Sequence, residues 1–233
     1  MSIKENLKEI ESNIREFEKK YNRESGSAKL IPVSKVHPIA KIIEAMDEGY
    51  TIFGESYVQE LSKKYEEFEA KGIKQPIWHF IGHLQSNKVK YIASFIDTIH
   101  TVDKLKLAKE INKRAEQNNR IIKILIQINT SGEESKFGIK ANELNDLIAE
   151  IKDYKNIEII GLMTIAGLEA SPEENEVEFQ LLSNLLNEVN EKFNLNLTEL
   201  SMGMTSDYEL AIKQGSTMIR IGTAIFGERE YGK

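Results

Sequence analysis

Val33-Ser34-Lys35 places a lysine at the end of a short apolar run, just before Pro38. If that lysine points into a mouth with apolar walls, desolvation and neighbouring cations lower its pKa, and the free amine can attack an aldehyde. That is Schiff-base chemistry. A strand-end lysine is usually a solvated surface residue, so the position needs company before it carries a function. Two segments far along the chain supply it. Ser201-Met202-Gly203-Met204-Thr205-Ser206-Asp207 links a predicted strand to a helix, and Arg220-Ile221-Gly222-Thr223 runs into a Gly-containing turn followed by Phe226-Gly227. Small residues and unpaired backbone N–H groups beside helix starts are what a phosphate requires. Either segment alone reads as a connecting turn.

Other candidates are less specific. Trp78-His79-Phe80-Ile81-Gly82-His83-Leu84-Gln85 is a dense cluster at another predicted strand end. Two histidines with no cysteine and no carboxylate close by make a poor metal centre, so His79 and His83 are expected in supporting roles, and no metal is expected. The loop Asn129-Thr130-Ser131-Gly132-Glu133-Glu134-Ser135-Lys136-Phe137-Gly138 is small and charged, as functional loops are, and a plain turn explains it equally well. Neither GxGxxG, GxxxxGK[ST] nor HExxH occurs, which disfavours a Rossmann fold, a P-loop NTPase and a zincin.

The elements that must position these residues alternate in type. Short β-branched runs at 29–34, 51–54, 77–81, 96–101, 121–128, 157–163, 197–201 and 217–221 read as strands. Helical patterns lie between them near 38–48, 56–70, 86–94, 103–118, 141–152, 174–193 and 206–214. Repeated βα units with this number of strands predict an α/β, TIM-type (β/α)8 barrel. Active groups in such a barrel gather at the C-terminal strand ends, and phosphate at the loops after strands seven and eight. Ile3, Leu7, Ile10, Ile14 and Phe17 predict an extra N-terminal amphipathic helix within 1–24, which could pack on the barrel or on a partner. No linker marks a boundary, so residues 1–233 are expected to form one domain, with the barrel over about 29–228. Pro38, Asp103 and Ser171-Pro172-Glu173-Glu174 read as helix starts, whereas Pro32 sits awkwardly inside the first strand.

Composition narrows the partners. With 37 acidic against 31 basic residues the net charge is -6, so no global field attracts nucleic acid or an anionic membrane, and an anionic ligand must be held locally. The chain has no cysteine, which removes disulfides and thiolate chemistry and suits a reducing compartment. No leader pattern or membrane span is visible; a cytoplasmic protein is expected.

Val33-Ser34-Lys35, Phe53-Gly54-Glu55, Trp78-His79-Phe80-Ile81-Gly82 with Leu84-Gln85 and Asn87-Lys88, Gly161-Leu162-Met163-Thr164, Leu200-Ser201-Met202-Gly203-Met204 and Arg220-Ile221-Gly222-Thr223-Ala224-Ile225-Phe226-Gly227 together resemble the pyridoxal phosphate homeostasis proteins. That family is similar to the N-terminal barrel of alanine racemase. The resemblance implies pyridoxal 5'-phosphate (PLP) as cofactor, a Schiff base on Lys35, phosphate held by Ser201, Gly222 and Thr223, and Arg220 facing the pyridine nitrogen. Met202, Gly203 and Ser56 complete the implied contact set. Ser56 stands where the family usually has asparagine.

The racemase relatives carry a further all-β domain with an opposing catalytic tyrosine, and this chain ends at Lys233, so the resemblance implies PLP homeostasis and amino-acid balance with no catalytic residue. Two alternatives stay open. One is a PLP-dependent amino-acid racemase or lyase with weak activity, for which Tyr57, His79 and His83 are the local candidates for a second acid or base. The other is a barrel that binds a phosphorylated metabolite without PLP. Implied partners are PLP, amino acids and PLP-dependent apoenzymes, with the chain a monomer or weak dimer.

Overall fold

Eight parallel strands form one sheet in the computed structural model, which describes residues 2–133, 135–167 and 170–228. Met1, Glu134 of the Asn129–Gly138 loop, residues 168–169 and residues 229–233 of the expected domain lie outside the described residues. The strands are β1 (Lys29–Pro32), β2 (Ile52–Glu55), β3 (Ile77–Phe80), β4 (Thr98–Val102), β5 (Ile122–Gln127), β6 (Ile157–Met163), β7 (Glu199–Ser201) and β8 (Met218–Ile221). Their order, β1-β8-β7-β6-β5-β4-β3-β2, leaves only β1 and β2 without a ladder. That seam is closed by a parallel bridge between Val33 and Gly54, with the Ser34 N–H donating to Gly54 O at 3.1 Å. The chain therefore folds as a TIM-type (β/α)8 barrel.

Pro32 explains the seam. Lys29 and Val33 donate their N–H groups toward β8, to Thr217 O and Ile221 O, and Ser34 donates toward β2. Pro32 occupies the alternate position, so its missing donor faces β2 and leaves the β8 ladder intact.

Between the strands run α2 (Ile39–Asp47), α3 (Val58–Ala70), α4 (Leu105–Gln117), α5 (Leu144–Ile151), α6 (Pro172–Phe193), α7 (Tyr208–Lys213) and the single turn α8 (Thr223–Phe226). Ser171 starts α6 with a capping box to Glu174 and Pro172 in the first turn, as expected. Asp103 does not cap α4: Lys104 occupies that position without a side-chain cap, and Asp103 lies 3.6 Å from His83 Nδ1 instead. The helix expected over 86–94 is a 3-10 segment, Ser86–Tyr91. Its anchors Val89 and Ile92 are three residues apart, a spacing that a three-residue turn keeps on one face.

The N-terminal helix α1 (Ile3–Lys20) packs on α2, α7 and α8. Ile3, Leu7, Ile10 and Ile14 are buried there, and Asn6 donates to Ile225 O at 2.9 Å. Since α8 is one turn long, α1 takes the place at the barrel wall that a full eighth helix would fill. Buried Glu18 then accepts the N–H groups of Gly26 and Ala28, at 3.0 and 2.7 Å, and fixes the entry into β1. Leu7→Ala should cost about 3 kcal/mol by urea unfolding, the usual loss for a fully buried leucine. A loss within experimental error would mean that α1 does not seal the barrel.

Candidate functional site

The β1 exit is held by buried charge. Ser34 Oγ donates to Glu55 Oε1 at 2.6 Å, and Lys64 Nζ donates to Ser34 O at 2.8 Å and to Glu55 Oε1 at 2.6 Å. Lys64 also pairs with Glu60 at 2.7 Å, and the same Glu60 oxygen accepts the Val36 N–H at 2.6 Å. Val36 has φ +63, a left-handed conformation that a β-branched residue resists. The clamp therefore holds the residues on both sides of Lys35 and offsets the strain at Val36; Lys35 itself is half-buried at the β1 exit. Burial raises the Glu55 pKa, with Lys64 and Ser34 opposing the rise.

A second polar cluster fills the barrel lumen, where branched aliphatic side chains are the rule. Arg220 on β8 donates from Nη1 to Ser201 Oγ at 2.6 Å and from Nη2 to Thr164 O at 2.9 Å. Ser201 Oγ lies 2.8 Å from His100 Nδ1, and His100 Nε2 lies 2.9 Å from His79 Nδ1. His100 is on β4 and Ser201 on β7, with β5 and β6 between them in the sheet, so this contact crosses the interior. His79 Nε2 approaches Asp97 Oδ2 at 3.7 Å near the opposite face. Burial depresses the His79 pKa to about 4, against the pull of Asp97, and burial likewise holds His100 well below its ordinary value. Burial lowers Arg220 to about 10, with Asp207 opposing, so it stays charged at neutral pH.

The turns after β7 and β8 border the same mouth. Gly203 has φ +97, and a Cβ there would sit 2.7 Å from the Ala211 methyl. Asp207 Oδ1 accepts the Met204 N–H at 2.6 Å and shapes this turn. Gly222 lies against Val33, where a Cβ would come within 3.1 Å of Val33 O. Thr223 and Ala224 open α8, and amides in a first helical turn have no intrahelical acceptor.

The expected residues divide accordingly. Lys35, Arg220, Gly222 and Thr223 gather at the exits of neighbouring β1 and β8, where Ile31 pairs with Arg220. The Ser201 hydroxyl is engaged by Arg220 and His100, and Met202 is buried in the apolar layer outside the lumen. Ser56 follows β2, with its carbonyl so close to Gly82 that a Cβ would overlap it at 2.2 Å. His79 is buried in the lumen, Tyr57 is exposed beside α3, and His83 stacks on Phe137 at 3.8 Å. The Asn129–Gly138 loop borders a cleft of about 940 Å³ lined by Thr130, Lys136 and Glu178. Sequence reading missed His100, Glu60 and Lys64, and named Glu55 and Thr164 only within family motifs, without a role. The i,i+4 spacing of Glu60 and Lys64 and the Thr98/His100 alternation within a strand were the available signals.

Fold and site together define a class. The family profile described as "Alanine racemase, N-terminal domain" matches residues 6–230. At full length the resemblance is narrower. A "Pyridoxal phosphate homeostasis protein" of Haemophilus influenzae is 42% identical over 232 residues, 99% of this chain and 98% of the relative. The structure of PipY from Synechococcus elongatus with PLP bound has a TM-score of 0.85 at 34% identity, covering 97% of this chain and all of that one. The chain belongs to the pyridoxal phosphate homeostasis protein family. Alanine racemase of Clostridium difficile, at 17% identity and a TM-score of 0.72, shares the fold over 98% of this chain and 60% of its own length.

The lumen histidines make stability pH-dependent. The unfolded chain protonates them near the ordinary value of 6.5, while folded His79 resists down to about 4. Stability should therefore fall as pH drops from 6.5 toward 4, by at most about 1.4 kcal/mol per pH unit per group. Urea unfolding from pH 7 to 4.5 should give a shallower decline in His79→Asn than in the wild type. Parallel declines would mean His79 titrates normally.

Proposed function

We propose that this chain binds PLP at the mouth between β1, β7 and β8 and serves intracellular PLP homeostasis and amino-acid balance, holding the cofactor as a Schiff base on Lys35. The observation that carries this reading is the pairing of β1 with β8, which brings a clamped lysine and a buried guanidinium to one mouth. The mouth suits the cofactor. The turns at Gly203 and Gly222 leave little room for a side chain, and backbone N–H groups there, with Ser201, Met202 and Thr223, would hold the phosphate, with Ser56 just after the β2 strand whose Gly54 bridges to Val33. Bound PLP supplies an aldehyde and a ring that draws electrons from bound amino acids, most strongly when the pyridine nitrogen is protonated.

Arg220 donates hydrogen bonds and cannot give its proton up to serve as an acceptor, so a ring nitrogen facing it stays unprotonated. That favours storage and delivery over turnover. Residues 1–233 act as one domain, in the cytoplasm, as a monomer or weak dimer. Amino acids and PLP-dependent apoenzymes are the partners that homeostasis requires. Among the described residues no helix is long and apolar enough to cross a membrane. PipY, of the same fold, has been solved with PLP bound, which supports the cofactor assignment.

The test is covalent. Purified protein loaded with PLP should absorb in the visible range, and borohydride reduction should fix the cofactor mass on Lys35. Lys35→Ala should lose both signals while its unfolding free energy changes by less than about 0.5 kcal/mol, as at other partly exposed sites. Mass fixed on another residue would overturn the assignment. Rapid deuterium exchange at the α-carbon of alanine in heavy water would replace the carrier reading with the racemase or lyase.

A further inference from the structure

The lumen chain has a direction that follows from Arg220. A guanidinium can only donate, so Ser201 Oγ accepts from Nη1 at 2.6 Å, and the acceptor within reach of its own O–H is His100 Nδ1 at 2.8 Å. His100 Nδ1 is then an acceptor, and its proton sits on Nε2. That proton goes to His79 Nδ1 at 2.9 Å, leaving the His79 proton on Nε2, aimed toward Asp97 at 3.7 Å. Donors and acceptors match at each step from β8 through β7 and β4 to β3, and the chain ends at the half-exposed carboxylate.

We propose that His79 and His100 are positioning residues for the cofactor site, acting through Ser201 to fix which N–H groups of Arg220 remain for the pyridine nitrogen. The inference rests on the PLP reading above. Two imidazoles, a hydroxyl and a guanidinium fill a volume that branched aliphatics would fill without any desolvation cost, so the fold alone gives no reason for them. With Nη1 committed to Ser201 and Nη2 to Thr164 O, the guanidinium plane is set, and its other donors are available to the mouth.

The arrangement requires neutral imidazoles. A charged His79 would donate from both nitrogens and reverse the chain until Ser201 accepted from both His100 and Arg220, leaving its own O–H without an acceptor. The groups around His79 are Asp97 and His100, with Lys29 and Lys123 at the lower recess, which Glu199 also lines. His100 faces His79, Ser201 and Arg220. Burial and these cations together disfavour the charged form of both rings.

The test uses full-length protein in two measurements. In the ligand-free wild type, long-range 15N–1H NMR of the histidine rings at pH 7 should show His79 and His100 neutral with the proton on Nε2. A charged ring, or a proton on Nδ1 of either, overturns the inference without recourse to any variant. The second compares PLP with its 1-deaza analogue, in which a C–H replaces the ring nitrogen. His100→Phe should lose about tenfold in PLP affinity, the effect expected when a hydrogen bond to a charged group is misaligned. Affinity for the analogue should not change, and His100→Gln should restore part of the loss. Equal losses for both ligands, or none for either, would reduce the histidines to core filling and overturn the inference alone. No PLP binding by the wild type would overturn the cofactor reading and this inference together.

Discussion

A guanidinium buried in a barrel lumen cannot shed its proton at neutral pH, so its surroundings must supply acceptors or the fold does not form. Arg220 imposes that condition here. Its donors meet the Ser201 hydroxyl and the Thr164 carbonyl, from β7 and the end of β6. The hydroxyl in turn needs an acceptor and finds His100 across the interior. One buried charge thus accounts for the polar side chains Ser201, His100 and, beyond it, His79 on β7, β4 and β3, and explains why this lumen is polar where aliphatic packing is the norm.

The second constraint lies outside the barrel wall. Lys64 of α3 reaches Glu55, Glu60 and the Ser34 carbonyl, and Glu60 holds the left-handed Val36 amide. Buried ion pairs add little net stability, but they define one geometry sharply because every alternative leaves a charge unpaired. The geometry defined is the turn that carries Lys35. It forms at the seam between β1 and β2, where Pro32 interrupts the ladder and a single bridge closes the barrel. The seam that the fold tolerates is also where the chain leaves β1 for the turn that carries Lys35.

Much of this was legible in the sequence, and the limits have a physical pattern. Strand positions followed from β-branched runs, and the α6 start from Ser171, Pro172 and Glu174, because these signals act within a few residues. The 3-10 crossover and the absent Asp103 cap were misread, since a turn with anchors three residues apart resembles a short α-helix. Lys35, Arg220 and Gly222 stood out by type and position. His100 and Lys64 did not, because their meaning lies in partners far along the chain: His100 meets Ser201 across 101 positions, and Lys64 meets Ser34 across 30. The N-terminal helix was legible as amphipathic, but its place on the wall depends on α8 being one turn long.

The central claim is that Arg220 presents donors to the cofactor ring and leaves its nitrogen unprotonated. PLP labelled with 15N in the pyridine ring and bound to the full chain reports this directly by NMR. The account predicts a neutral, hydrogen-bonded nitrogen at pH 7, with a resonance that moves when Arg220 is replaced by Met. A pyridinium resonance at pH 7, or one indifferent to that replacement, would contradict it.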